Sequence, residues 1–262
     1  MDRSPSLSHL LAALLAWLTP AVQAAAQEPE SLESEDGSAW SLEFQVPMIS
    51  QYVFRGIVLN DETVLQPEIF LAHEWENGSW LGVGAFFNQE LTNHSGRAGE
   101  ITEIDWLAEG AIPAAGGSAV LGLATYTAPD GDFDTTTEAY VAWEYEGELL
   151  TGRAELTYDF MEGDGFYARV SASRELELRD DLICSLECGL GAMDRDYAAL
   201  NVGVAASGLA DFGAHASLAW ICSENSELSL SLFSSFLIDG AYRDAVADPD
   251  PFWLALAWSL AL

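Results

Sequence analysis

Residues 251–262 read PFWLALAWSLAL. Phe252, Leu254, Leu256, Trp258, Leu260 and Leu262 are large and apolar, while Ala255, Ala257, Ser259 and Ala261 between them are small, with Trp253 the exception. In an extended strand successive side chains point to opposite faces, so the two sets separate onto two sides. The 262-residue chain has a formal net charge of −33, from 42 acids against nine Arg and no Lys, yet this segment carries no charge. Chain ends of soluble domains fray unless they are tied down. A strand with one wholly greasy face suits hydrocarbon on that face and a polar lumen behind it.

The same period of two recurs upstream. Trp40, Leu42, Phe44, Val46 and Met48 alternate with Glu43 and Gln45; Ile69 and Leu71 alternate with Glu68 and Glu74. Ile104, Trp106 and Ala108 alternate with Glu103, Asp105 and Glu109; Ala139, Val141, Trp143 and Tyr145 with Glu138 and Glu144; Ala154, Leu156 and Tyr158 with Arg153, Glu155 and Thr157. No segment sustains a helical period. Segments of about ten residues, apolar on one side and polar on the other, are the signature of a transmembrane β-barrel. The connections alternate too. Short turns fall at 76–78, 113–117, 146–148 and 179–181, and longer acidic loops at 56–63, 89–99, 129–136 and 161–165. Short periplasmic turns and longer external loops are expected of this class.

A count of every strand-like segment gives thirteen, which leaves the chain ends on opposite sides. Parity returns if 197–208 is an external excursion. The spanning set is then 39–54, 64–75, 79–88, 100–112, 118–128, 137–145, 149–160, 165–177, 182–192, 211–222, 227–238 and 251–262. The expected fold is therefore all-β: a closed antiparallel transmembrane β-barrel of about twelve strands. Trp40, Phe54, Trp75, Trp80, Tyr126, Tyr145, Tyr158, Trp220 and Trp253 cluster towards strand ends, as two interfacial belts would require.

The amino terminus speaks to compartment. Arg3, the apolar run Leu10 to Leu18 and the small stretch Ala24-Ala25-Ala26 read as a signal peptide over 1–26, cut before Gln27. Residues 27–38 are an acidic disordered lead-in, and 39–262 form the barrel domain in a Gram-negative outer membrane. The negative charge repels nucleic acid and anionic head groups. Cys184 and Cys188 share a strand face but stand too far apart to bridge, so three independent thiols, with Cys222, are expected. No cofactor or metal site is expected.

One stretch carries a family likeness. SQYVFRGIVLNDETVLQPEI, residues 50–69, resembles the opening of the TorF-type porins, in which a first strand ends Ser-x-Tyr-Val-Phe-Arg-Gly. TEIDWLAEGAI at 102–112, TTEAYVAWEY at 136–145 and DGFYARVSASREL at 164–176 follow in order. The resemblance implies an outer-membrane barrel and the motif residues Tyr52, Val53, Phe54, Arg55 and Gly56. Read physically, Tyr52 and Phe54 continue the outward face of strand one. Arg55 pins the first hairpin by pairing with a carboxylate such as Glu62 or Glu68, and Gly56 permits a sharp turn.

The lumen-facing alternates are acidic: Glu43, Glu68, Glu74, Glu103, Asp105, Glu109, Glu138, Glu144 and Glu155, with Arg153 and Arg169 as the basic exceptions. Carboxylate rings favour cations at a constriction. The expected function is a porin for small hydrophilic solutes that prefers cations; the alternative is a closed structural, adhesive or ligand-binding barrel. PDGDFDTTTE at 129–138 has some calcium-loop character, but Phe133 and Thr135 break the pattern. His215 and Ser217 share a strand face without a visible third group, so no catalytic role is assigned. The partners expected are the bilayer, small hydrophilic solutes or cations, and the assembly machinery that reads 251–262, with a calcium held loosely by the 129–138 loop as a further candidate.

Overall fold

The computed structural model describes residues 39–92 and 96–262. The expected signal peptide at 1–26, the lead-in at 27–38 and the loop tripeptide Asn93-His94-Ser95 lie outside the described residues. The strands are β1 (Ala39–Ile49), β2 (Tyr52–Phe54), β3 (Ile57–Asn60), β4 (Val64–Leu65), β5 (Glu68–Glu74), β6 (Trp80–Glu90), β7 (Ile101–Ala114) and β8 (Gly117–Thr127). They continue as β9 (Thr136–Glu146), β10 (Thr151–Asp159), β11 (Gly165–Arg179), β12 (Leu182–Met193), β13 (Gly208–Ser223), β14 (Ser226–Leu237) and β15 (Phe252–Ala261). Two short helices, α1 (Arg195–Asn201) and α2 (Gly240–Ala245), sit in the last two long loops.

Every stave is antiparallel to its neighbours, and β15 pairs back onto β1 from Glu43↔Ala261 to Ile49↔Ala255. At the seam's end Leu42 and Leu262 exchange both backbone hydrogen bonds, each at 2.9 Å. β4 and β5 are two pieces of one stave, interrupted at Gln66-Pro67, so twelve staves close the barrel. Pro67 has no N–H to donate to the ladder. Its carbonyl still accepts from Phe87 N at 3.0 Å, so the gap stays bridged.

The side chains divide as the alternation demands. Trp106, Val141, Leu230 and Leu254 are exposed, as is Leu121 at 63%. A soluble sandwich would bury this set; an apolar band facing lipid explains it. Short connections and both described chain ends lie at one rim, long loops at the other. Residues 197–207 lie outside the staves, β13 beginning at Gly208; α1 enters the segment from Arg195, capped by the Asp194 carboxylate, which accepts from Tyr197 N at 2.9 Å.

Three expectations about faces are overturned. Strand one ends at Ile49, not at 54, and the chain then turns into the lumen as the separate β2–β3 hairpin. Tyr52 and Val53 are consequently buried inside the barrel, and Phe54 packs on Tyr126 within it, so they do not continue the outward face. Of the expected belt residues, Trp80 and Trp253 are buried in the interior core and Tyr126 packs against it. Trp40, Trp75, Tyr145 and Trp220 remain on the outside. His73 sits between Trp40 and Trp75, at ring separations of 4.6 and 4.9 Å, as an interfacial residue. Cys184, Cys188 and Cys222 are free thiols.

Leu121→Arg places a charge on the lipid face in mid-strand and is expected to cost about 2–4 kcal/mol of folding stability in lipid vesicles. Leu81→Arg, at the rim, should cost about 0–1 kcal/mol. Urea unfolding followed by heat-modifiable gel mobility measures both, and equal costs would argue against a hydrocarbon band.

Candidate functional site

The interior is two-sided. Along β5–β9 an apolar cluster lies among buried carboxylates: Phe70, Trp80, Phe86, Leu107, Val120 and Ala142 belong to one buried cluster that Tyr52 and Val53 of the hairpin complete, beside Glu68, Glu103, Asp105, Glu109, Glu138 and Glu144. Lumen-facing glycines make room for rings here, since a Cβ on Gly84 would fall 2.7 Å from the Phe70 ring. Along β11–β15 Ser185, His215, Ser217, Glu227, Ser229 and Ser231 are all buried on the inner face, beside the aromatics Phe233 and Trp253.

The hairpin crosses between these halves. Its turn is Arg55-Gly56, both at positive φ (49° and 81°), the combination a two-residue hairpin turn with right-handed twist needs. A Cβ on Gly56 would fall 2.9 Å from the Asp211 Cβ, so the tip presses against β13 and only glycine fits. Arg55 holds a strained conformation for a residue with a side chain. Its contacts supply the compensation. Nη1 and Nη2 donate to the two oxygens of Glu138 at 2.7 and 2.9 Å, a bidentate pair with both side chains almost wholly buried. The guanidinium also lies 4.4 Å from the Tyr167 ring, 4.6 Å from Phe54 and 5.1 Å from Tyr197. Glu138 accepts further bonds from the Tyr126 hydroxyl at 3.0 Å and the Tyr197 hydroxyl at 2.6 Å. Arg55 thus forms its bidentate ion pair with Glu138, across the lumen on β9, where the sequence suggests a carboxylate such as Glu62 or Glu68. Glu62 instead accepts from the Thr92 hydroxyl in the outer loops.

The other carboxylates fall into groups. Arg153 pairs with Glu144 and with Glu155, the latter at 2.6 Å, and Glu155 also accepts from Thr157 at 2.8 Å. Glu109 accepts from the Tyr140 hydroxyl. Arg169 pairs with Asp211 at 3.1 Å, and Asp211 accepts from the Tyr167 hydroxyl at 2.8 Å. Glu103 and Asp105 face the lumen from β7 and are buried there. Glu68 is buried on β5; Glu43 and Glu74 stand on the same inner rows towards the short-turn rim and enter none of these groups.

Sequence reasoning missed Asp211, Tyr167, Tyr197 and Glu187. Asp211 was in view, two and four residues ahead of Gly213 and His215 on the inner phase of β13. Tyr197 carried no signal, because it enters from α1, outside the strand pattern. Among the described residues no group of three or more His, Cys, Asp and Glu could hold a metal ion. Asp130 and Asp132 of the loop with calcium character are both engaged by Arg97. His215 stacks on Phe233 at 4.3 Å, and neither its Nε2 nor the Ser217 hydroxyl has a hydrogen-bond partner among the described residues, so the two form no catalytic pair.

At the long-loop rim, Arg243 of α2 closes the last loop with a bidentate pair to Asp250 at 2.6 and 2.7 Å and donates to the Leu237 carbonyl at 2.9 Å. The hydrogen bond from Arg243 holds the Asp250 carboxyl below its ordinary range.

Residues 33–231 match the family model described as "Bacterial protein of unknown function (Gcw_chp)". No curated protein matches the sequence. Among solved structures, the NanC porin superposes with a TM-score of 0.51 at 12% identity, covering 84% of this chain and all (100%) of that one. An outer membrane channel from Pseudomonas putida F1 gives 0.49 at 11% identity (89% and 99% covered), and the KdgM porin 0.48 at 8% (84% and 98%). At such identities the NanC likeness speaks to the porin-like barrel fold.

Removing one partner of the buried pair, by Arg55→Met or Glu138→Leu, strands a charge and is expected to loosen the hairpin by about 3–5 kcal/mol, whereas the double variant loses much less than the sum. Hydrogen exchange at amides 52–60 reads this, and strictly additive losses would show that the pair does not hold the hairpin. The Asp250 clasp follows pH with a defined sign. A carboxyl depressed in the folded state contributes stability above its unfolded value of about 3.9, and loses it as pH falls through the folded value. Exchange at α2 amides should therefore rise below about pH 4, and Asp250→Asn should remove that pH dependence.

Proposed function

The chain belongs to the Gcw_chp family of bacterial proteins, and on that footing we propose that it is an outer-membrane channel for small hydrophilic solutes that prefers cations. One observation carries the charge preference. The inward carboxylates Glu43, Glu68, Glu74, Glu103, Asp105, Glu109, Glu138, Glu144 and Glu155 outnumber the inward guanidiniums of Arg55, Arg153 and Arg169. In a narrow lumen with low-dielectric walls such an excess draws cations in and slows anions. Charge selectivity resides at the hairpin constriction, where Arg55–Glu138 is internally neutral and the surrounding carboxylates set the sign.

The Tyr52–Gly56 stretch supports placing the chain with the TorF-type porins, the leader at 1–26 supports export through the inner membrane, and the greasy final strand suits recognition by the assembly machinery. A second reading is favoured by the filled half of the lumen: a closed barrel that works through its loops. Conductance decides between them. In planar bilayers the folded protein should give discrete steps, with reversal potentials shifted towards the cation value in a salt gradient. Neutralising the β7 pair, with Glu103→Gln and Asp105→Asn, should shrink that shift. Folded, heat-modifiable protein that yields no steps would leave the closed barrel as the better reading.

A further inference from the structure

Between the hairpin tip and the inner face of β11–β15 lies a cavity of about 90 Å³. Arg169, on β11, lies flat against its wall because the opposing residues have no side chains: a Cβ on Gly189 would fall 2.5 Å from Nη2, and one on Gly213 3.4 Å. A guanidinium offers five donors, and Asp211 takes only part of that capacity. The side chain keeps 21% of its surface open. Glu187, on β12, lines the same cavity, yet among the described residues no ion pair joins it to Arg169. Two opposite charges thus line one small space with no direct ion pair between them.

A third group points the same way. His215 is 8% exposed, lines the cavity, and its Nε2 has no hydrogen-bond partner among the described residues. Its ring is fixed by stacking on Phe233 at 4.3 Å and 10°, and Phe233 stacks in turn on Trp253 at 5.3 Å and 18°. The ring is held against a wall of aromatics, so a buried polar atom that lacks a partner calls for one from the cavity.

We propose that this cavity is a binding site for small zwitterions of the α-amino-acid type, with the carboxylate on Arg169, the ammonium on Glu187, and His215 Nε2 bonded to whichever end lies beside it. A carboxylate takes up the donors of Arg169 that Asp211 leaves open, and an ammonium gives Glu187 the ion pair it lacks among the described residues; a molecule carrying both charges does both. Phe233 and Trp253 give an apolar flank to a short side chain. The volume is that of about three waters, which suits glycine or alanine and not a hexose. The site rests on the channel reading for the route by which solute arrives.

Calorimetric titration of the folded full-length barrel in detergent tests it, with glycine, L-alanine, acetate and methylammonium as separate probes. Glycine and alanine should bind saturably, and acetate and methylammonium about tenfold or more weakly by comparison. Glu187→Gln, which leaves the Arg169–Asp211 pair intact, should weaken glycine about tenfold without changing acetate, and Arg169→Gln should weaken both. Equal affinity for all four probes, or no saturable binding by protein that shows the folded gel mobility, overturns the proposal. Bilayer recordings separate the two claims: a barrel that binds glycine selectively but passes no current ends the channel reading alone, and one that conducts without binding glycine ends this one alone.

Discussion

Hydrocarbon offers no water to an unpaired N–H or C=O, and each such group left open there costs several kcal/mol. Everything in this fold answers to that. The sheet closes on itself through β1 and β15, so neither edge is left open. Closure in turn fixes the phase of every strand: one face must be greasy and the other must take whatever is polar. The final segment is the plainest case, with Leu254, Leu256 and Trp258 exposed on the outside and Ala255 and Ala257 buried within.

Once the outside is committed to lipid, the inside has to hold the chain's inward acids in a bore of intermediate width. Barrels near eight strands fill with side chains and those of sixteen or more leave a channel. This one divides the problem. Glycines at 84 and 122 let Phe70 and Tyr140 lie inward along one wall, and the β2–β3 hairpin packs on that side. The opposite wall keeps the cavity beside Arg169. The hairpin is the hinge of the arrangement, because its apolar residues belong to the first wall and its tip touches the second.

Loop parity, not alternation, brought the strand count from thirteen to twelve. Period-two alternation made the barrel and the inner phase of the acids legible, because that signal is imposed by the two solvents on either side of the sheet. It failed where a segment kept the period but left the sheet. Tyr52 and Phe54 fall in phase with Trp40 through Met48, yet the bend at Ser50-Gln51 carries them into the lumen. Alternation reports two faces and is silent on which surface each face meets. Aromatic type was ambiguous for a related reason: Trp80 and Trp253 sit near strand ends as belt residues do, but their parity, which places them with Gly82 and Ala255, was the better guide. The partner of Arg55 was illegible, since Glu138 lies 83 positions away and only closure of the barrel brings β9 across from the hairpin.

A buried ion pair is weak support for stability, because desolvation offsets most of its attraction, but it is a strong specifier of position. Arg55–Glu138 serves as a locator. Both oxygens and both terminal nitrogens are engaged, and Tyr126 and Tyr197 add donors from β8 and α1, so an apolar substitute of equal volume would pack but would not fix the hairpin's depth or rotation. The same neutrality has an electrostatic consequence. Each inward guanidinium is matched to a carboxylate on the β9–β13 side, at Glu138, at Glu144 and Glu155, or at Asp211. The β7 wall carries Glu103, Asp105 and Glu109 with no inward arginine on its own strand or on β6 and β8. The lumen field is therefore lopsided: balanced beside the cavity and negative beside the apolar core. A cation drawn along the negative side and a zwitterion held on the balanced side would pass the same constriction by different walls.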